Sequence, residues 1–490
     1  MNANPGTSIA RAPLLAAIFV FNFIEFLATG MTVFAAPAIM GHIGASPEEF
    51  ASVTALYAAV AVLSISQLTV LAQRLGWRNY LLGAALCYML GAWLCATSAG
   101  VTAFAGGRLL MALGGGVFMT VSRMLVNLIN PVPQRLQGIA AFGAALCAGL
   151  AFGPWLAATM LGHEAWGGMF LALALLALLA ALIAACSLPL DAVTLEASAS
   201  RMHVPDALLL GAGAALTLYA LQHLGYDWHG ERAGLLAHLA LGVALLGAFG
   251  FVHARRADPF LHLGVLKSAR YRLGLLIFGL CYAVLGVVNT LLPQVLQKGL
   301  GLGLEQAGRL QGIGLLSTCI AFGALLLLVR RRPHPTKFYV SGFLMLALLA
   351  WRLATLDPRA EAWGAVTAWL GLFGAFLTLA MATTAIHSFK DLQADNVVFS
   401  HAQQLKNMLG QAGLALGVGL ANVGLQERSA HHAARLAERA PAAGAAGDAG
   451  PGAADLARQV GLLAGQDLFW IVMWVGLAGA LLLGLQRRFD

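Results

Sequence analysis

The chain has 490 residues, 60% of them hydrophobic and only 10% charged, with a mean hydropathy of +0.80. A soluble domain carries about 25% charged residues, so this composition excludes one and indicates an integral membrane protein. The net charge of +8 does not point to nucleic acid, because the positive residues gather in alternate loops between apolar runs.

Apolar runs of about 20 residues, the length that crosses a bilayer, recur along the whole chain. Spans are expected near 14–36, 50–72, 80–98, 102–127, 137–160, 166–188, 206–225, 233–253, 273–296, 307–329, 337–355, 363–386, 408–426 and 467–486. The alternation of an outer-membrane barrel is absent, so the expected fold class is an all-α integral membrane protein of about fourteen transmembrane helices. The first apolar run is long enough to span and has no small-residue exit site of a cleavable signal.

The spans divide the chain into an N-terminus (1–13), a six-helix bundle (14–188), a linker (189–205) and two linking helices (206–253). A basic loop (254–272) and a second six-helix bundle (273–486) follow. An even span count puts both ends on one face. Arg11 and Arg487/Arg488 assign that face to the cytoplasm. So do the clusters Arg74/Arg78, Arg255/Arg256/Lys267/Arg270/Arg272 and Arg330/Arg331/Arg332/Lys337, while Gly41–Glu49 and Gly162–Glu164 lack Lys and Arg. The expected location is the cell inner membrane, multi-pass, with both termini cytoplasmic.

In the first span, Glu25 sits at the middle of the run Leu14-LAAIFVFNFIEFLATGMTVFAA-Pro37. A carboxylate at the bilayer centre costs about 2.5–3.5 kcal/mol, and its charged form is penalised by loss of water. Such a group can load a proton on one side and release it on the other; the plainer reading is a hydrogen-bonded structural Glu. Asn22, Glu25, Thr29 and Thr32 recur at spacings of three and four, which places them on one helical face turned toward the bundle or a wet cavity.

In the fourth span, Arg108 lies in GGRLLMALGGGVFMTV and needs an acceptor. Glu25 is the deep carboxylate on offer and the expected electrostatic partner; capping of backbone carbonyls is the other reading. Arg123 is expected to snorkel to the cytoplasmic end. The glycines of this span allow close helix approach. Gly153-Pro154 in the fifth span should bend its helix, as a packing kink or as a gating hinge.

The second half offers Asn289, Gln294, Gln297 and Gln311 with Phe278, Tyr282, Phe373 and Phe376, a set that could line a roomy apolar cavity. Residues 429–465 are rich in Ala, Gly and Pro and are expected to form a mobile outer loop with at most a short helix. His431-His432 within it falls short of the three or four ligands a metal site needs, and no metal is expected. The six Cys all fall in spans without metal or disulfide spacing and read as packing residues. No G-x-x-x-x-G-K-[ST] loop occurs, so ATP is not the energy source within the chain, and no cofactor is called for. Zinc-protease and G-x-S-x-G motifs are absent, and nothing supports an enzyme.

Five motifs in order resemble the major facilitator superfamily, and within it the fourteen-span drug:proton antiporter branch of the EmrB/QacA type. TVLAQRLGWR (Thr69–Arg78) is similar to the family's cytoplasmic G-x-L-a-D-r-x-G-r-r loop at Arg74, Gly76 and Arg78. GRLLMALGGG resembles the fourth-helix R-x-x-Q-G pattern at Arg108, and AFGPWLA resembles the fifth-helix G-P-x-x-G-G motif at Gly153 and Pro154. RADPFLHLGVLK (Arg256–Lys267) and LLPQVLQKGLGLGLEQAG (Leu291–Gly308) are similar to the family's linker and second-half segments. The chain also departs from the pattern. The first-helix Asp position holds Ala28, with Glu25 one turn earlier on nearly the same face; Gln73 stands for the loop Asp, Thr69 for its Gly. Met111 replaces the fourth-helix Gln, and Ala157-Ala158 replace Gly-Gly. These mark a divergent member.

The resemblance implies two bundles that exchange access to a site between them, as in a proton-coupled exporter of small amphipathic or cationic compounds. In that plan Glu25 carries the proton beside Arg108, and Asn22, Thr29, Thr32, Asn289 and Gln294 meet the substrate. Gln73, Arg74, Gly76 and Arg78 form the gate, and Gly153 and Pro154 the hinge. The expected partners are a small-molecule substrate, protons and the lipid bilayer, without nucleic acid. A periplasmic adaptor is a further partner implied by some relatives alone. Export of a specific metabolite (a siderophore, sugar or amino-acid derivative) and a non-transporting sensor or scaffold remain as alternatives.

Overall fold

The computed structural model describes residues 11–129, 131–163, 165–188, 201–227, 230–331, 334–357, 363–393, 395–444, 452–486 and 489. Glu164, Arg332, Arg487, Arg488, residues 1–10 of the N-terminus and 189–200 of the linker lie outside them. Among the described residues the regular structure is entirely helical. A chain in hydrocarbon has no water to satisfy its amides, and helices satisfy them within each segment.

Among the described residues, fourteen helices are long and apolar enough to cross a membrane. They are α1 (Arg11–Ile43), α2 (Pro47–Leu75), α3 (Trp77–Ala96), α4 (Val101–Leu128), α5 (Arg135–Gly162), α6 (Trp166–Ser187) and α7 (Val204–Tyr226). The second half continues with α8 (Arg232–His253), α9 (Ala269–Gly299), α10 (Leu304–Leu328), α11 (Pro335–Ala354), α12 (Gly364–Leu392), α13 (Asn396–Glu438) and α14 (Ala454–Leu485). The first six and the last six form two bundles. The intervening α7 lies against α2 and α13, and α8 lies against α7. The ends of α1 and α14 that carry the chain termini share one face, called the termini face below.

Local sequence sets where helices start. Ser46 Oγ accepts from the Glu49 amide at 3.1 Å while the Glu49 carboxylate accepts from the Ser46 amide at 2.8 Å, a reciprocal cap that opens α2. Asp395 Oδ1 accepts from the amides of Val397 and Val398 at 2.8 and 3.2 Å and opens α13. Between α2 and α3 the turn is made by Gly76 at φ 79°, a left-handed value that a side chain would strain.

Where α1 crosses α5 the two backbones almost touch. A Cβ at Gly153 would lie 3.0 Å from the Cα of Gly30, so only glycine fits without displacement. Leu175, Leu276, Ile320, Trp474 and Leu481 are exposed on the outer surface, as expected where the neighbour is lipid rather than water.

One expected element is corrected. Residues 429–444 continue the helix that begins at Asn396, and 453–465 belong to a helix running to Leu485, in place of a mobile loop. Residues 445–451 lie outside the described set. Apart from its two histidines, the segment HHAARLAER is built of Ala, Arg, Leu and Glu, all strong helix formers. It is also tied to its neighbour: Arg428 Nε and His432 Nε2 each lie 2.7 Å from Asp467 Oδ2 on α14. His432 thus has a structural partner. At 1.5 Å per residue, a helix of 49 residues is about 74 Å long, far more than a bilayer core of about 30 Å.

Candidate functional site

Glu25 lies near the middle of α1 and is 6% exposed. Its Oε1 accepts a hydrogen bond of 2.9 Å from Gln411 Nε2, on α13 of the other bundle. The glycine run of α4 forms the adjoining wall. A Cβ at Gly115 would lie 2.6 Å from the Tyr88 ring and 3.8 Å from Glu25 Oε2. Removing side chains there is what lets α4 approach both the ring and the carboxylate. A void of about 20 Å³ adjoins Glu25, walled by Thr29, Met119, Tyr282, Asn407 and Gln411 among others.

Two larger cavities lie on either side of this point. Toward the termini face, a cavity of about 430 Å³ is lined by α4, α5, α9, α10, α12 and α13, with Met119 among its walls. Toward the opposite face, a cavity of about 310 Å³ is lined by α1, α2, α4, α7, α9 and α13, with Thr29, Gln411 and Leu414 among its walls. The void at Glu25 shares Met119 with the first cavity and Thr29, Gln411 and Leu414 with the second. Glu25 therefore occupies the partition between two spaces that open toward opposite ends of the helices.

Arg108 does not form the expected ion pair with Glu25 within 4.0 Å. Its Nη1 is 3.5 Å from Thr32 Oγ1, and its guanidinium carbon is 4.0 Å from the centre of the Tyr57 ring. Thr32 sits two turns along α1 from Glu25, so Arg108 stays in the wall of the opposite-face cavity. Its charge still acts on the carboxylate through a medium of low polarity.

The remaining expected site residues divide. Thr29, Thr32 and Gln294 line the opposite-face cavity. Asn22 does not join them: its Nδ2 donates to the Phe142 carbonyl at 2.7 Å and ties α1 to α5. Asn289 is buried but is not among the residues lining either cavity. Arg74, Gln73, Gly76 and Arg78 gather at the α2–α3 turn on the termini face, with Arg74 exposed and Gln73, Gly76 and Arg78 half-buried. The α5 helix runs unbroken through Gly153 and Pro154, and Gly308 of α10 also packs there, its built Cβ 2.7 Å from the Pro154 carbonyl.

Arg123 does not snorkel. Its Nη1 is buried without a hydrogen-bond partner, its guanidinium carbon is 5.0 Å from the Phe399 ring centre, and it lines the termini-face cavity. The α13 contribution is absent from the sequence reading: Gln404 and Asn407 precede 408, where hydropathy starts that span, and Gln411 lies just inside it. Gln404 Nε2 donates to the Ile65 carbonyl at 2.7 Å, Asn407 Nδ2 to Thr120 Oγ1 at 2.6 Å, and Gln411 to Glu25. Their spacing of three and four was the signal available, a polar stripe on one helical face. It stitches the second bundle to α2, α4 and α1 in turn. Lys406 lies on this helix too, only 5% exposed, with Nζ 4.9 Å from the Phe278 ring centre.

Comparison with known proteins gives a consistent result. The putative multidrug resistance protein MdtD of Serratia proteamaculans is 24% identical over 413 residues, 84% of each chain. The uncharacterized MFS-type transporter YhcA of Bacillus subtilis is 27% identical over 297 residues, 61% of this chain but only 55% of that relative. Among solved structures, a bacterial homologue of the human lysosomal transporter Spinster superposes with a TM-score of 0.59 at 12% identity, covering 99% of this chain and 98% of that one. The human organic anion transporter MFSD10 gives 0.57 at 16% identity, covering 95% and 99%. These likenesses establish the fold. The family model of the Major Facilitator Superfamily matches residues 18–418, and the chain is a multi-pass membrane protein belonging to that transporter family.

Proposed function

We propose that this protein is a proton-coupled exporter of small amphipathic compounds that works by alternating access. The observation that carries this reading is the position of Glu25 in the partition between two oppositely placed cavities, held by a side chain from the other bundle. A proton on Glu25 changes the charge of the partition and the strength of its bond to Gln411, because a hydrogen bond to an ionised acceptor is about twice as strong as a neutral one. Loading and unloading the proton thus biases how tightly the bundles hold together at this level. That bias is the differential interaction an alternating-access cycle requires.

Arg108 supports the cycle electrostatically from the wall of the opposite-face cavity. Thr29, Thr32 and Gln294 offer that cavity hydroxyl and amide groups to orient a substrate. Gln73–Arg78 would gate the termini face, and the basic clusters support reading that face as the cytoplasmic side of an inner membrane. The Gly30–Gly153 contact and Pro154 would let α1 and α5 roll over one another. The likeness to a protein named for multidrug resistance supports the choice of export over uptake.

The test is a proteoliposome with a pH-sensitive dye inside and an imposed proton gradient. Candidate compounds are expected to drive proton movement with wild type and not with Glu25→Gln. Equal proton movement in both would remove Glu25 from the coupling. Compound flux without proton movement would replace antiport by facilitated transport, and no flux at all would favour a sensor or scaffold.

A further inference from the structure

The charged side chains along the two cavities are of one sign. Arg123, Lys390 and Lys406 line the termini-face cavity, and Arg108 and Lys298 line the opposite one; among the described residues no Asp or Glu lines either. Glu25, between them, is the carboxylate of the route. Two of these cations have an aromatic ring beside them but no counter-ion: Lys406 Nζ is 4.9 Å from the Phe278 ring centre and the Arg123 guanidinium carbon 5.0 Å from that of Phe399. Lys406 is 5% exposed and Arg123 carries a buried Nη1 without an acceptor, and among the described residues neither has a carboxylate within 4.0 Å. The charges that act on them are cationic: Arg123 on Lys406, and Arg135 on Arg123.

A buried cation without a counter-ion is expensive, and two in one cavity repel each other. Packing does not require them, since a neutral chain of similar length would fill the same space. Most of the rest of that wall is apolar, with Phe142, Phe278, Phe322 and Phe389 contributing rings beside the polar Thr378, His387, Gln393 and Gln403. The missing group is an anion attached to an apolar body.

We infer that the termini-face cavity binds amphipathic organic anions, the acidic group between Arg123 and Lys406 and the apolar body among the phenylalanine rings. This rests on the export reading above and narrows its substrate class, turning away from cations. An anion between the two side chains supplies each with the counter-ion it lacks and cancels their repulsion. The guanidinium suits a carboxylate or sulfonate because its paired N–H groups match two oxygens. Arg108 and Lys298 continue the same preference in the cavity beyond Glu25. A cation would meet Arg123 and Lys406 as like charges and find no carboxylate before Glu25.

The test uses three probes that share one apolar body: naphthalene-2-sulfonate, naphthalene-2-sulfonamide and the cation trimethyl(2-naphthyl)ammonium. Binding to the full chain in detergent is measured by titration calorimetry with no proton gradient, so the result is independent of whether transport is proton-coupled. The sulfonate is expected to bind at least about tenfold more tightly than the sulfonamide, and the cation more weakly than either. Arg123→Gln and Lys406→Met are each expected to lower sulfonate affinity about tenfold while leaving the sulfonamide unchanged. Lys406→Arg should retain it. Lys406→Met should also keep or raise the melting temperature, since it removes an unpaired buried charge, and this separates loss of binding from loss of fold. Tighter binding of the cation, equal binding of all three, no binding of any, or sulfonate affinity indifferent to both substitutions would each overturn the assignment.

Discussion

Gln411 Nε2 donates to Glu25 Oε1 at 2.9 Å, across 386 residues of sequence, so a buried carboxylate of one bundle is held by an amide of the other. The bond joins the two halves at the partition between their cavities. A contact there is felt by every motion that separates the bundles. Its neighbours on α13, Gln404 and Asn407, make the same kind of bond one and two turns away. The interface at this depth is therefore polar and directional rather than merely apolar.

Gln411→Leu keeps the volume and removes the donor. A hydrogen bond to a charged group contributes about 1.5–3 kcal/mol, so compound-driven proton flux should fall by about tenfold or more if the bond forms in only one state of the cycle. Gln411→Glu would place two carboxyl groups together and should be the more damaging change. Wild-type flux in Gln411→Leu liposomes would show that the bond plays no part in turnover.

Gly115→Val tests the wall behind Glu25. The built Cβ already lies 2.6 Å from the Tyr88 ring, so a branched side chain must push α4 away from α3 and from the carboxylate. Overpacking of this kind costs about 1–3 kcal/mol and should lower the melting temperature and the flux together. A second change, Tyr88→Ala, should restore part of the stability by opening the space. No recovery in the double variant would count against the steric account.

Asp206 anchors the helix pair between the bundles. It is fully buried; its Oδ2 lies 2.8 Å from His253 Nδ1, and its Oδ1 lies 3.0 Å from Arg256 Nη2. The Leu261 amide donates to His253 Nε2 at 3.2 Å, which fixes the imidazole proton on Nδ1, facing the carboxylate. Asp206→Ala leaves two donors without an acceptor and should destabilise by about 3 kcal/mol. Thermal melts in detergent read this directly, and an unchanged melting temperature would show that the network contributes nothing net.

His262, in the loop before α9, supplies a pH dependence. Burial holds its protonation below the ordinary 6.5, against a smaller opposing pull from Asp395. The fold thus favours the neutral ring. Its contribution is complete above pH 6.5 and is lost as the pH falls through the lowered folded value, because the unfolded chain takes up the proton first. Melting temperatures of wild type should drop more between pH 7.5 and 5.5 than those of His262→Gln (the two values bracket the ordinary His range of about 6.5). Parallel pH profiles would rule His262 out.

Much of this protein was legible in its sequence, for a physical reason. Insertion into hydrocarbon is decided by summed local hydropathy and by charge in short loops, both of which are properties of contiguous residues. Span number, all-helical class and the isolation of Glu25 follow from them. Motif likeness singles out Gly76, whose left-handed φ favours glycine, and Gly153, but that Gly153 meets Gly30 of α1 is a finding of the structure alone. Tertiary structure alone decided what depends on how helices rotate and where they meet. Hydropathy placed Arg108 and Glu25 at similar depth, yet the rotation of α4 aims the guanidinium at Thr32 and Tyr57. Asn22 shares the face of Glu25 but reaches α5 instead of a cavity. The helix-forming residues of 429–444 are local, but the contact of Arg428 and His432 with Asp467 of α14 that ties this helix down is tertiary. Arg123 and Lys406, far apart in the chain and unremarkable singly, became one cationic cavity wall because α4 and α13 converge there.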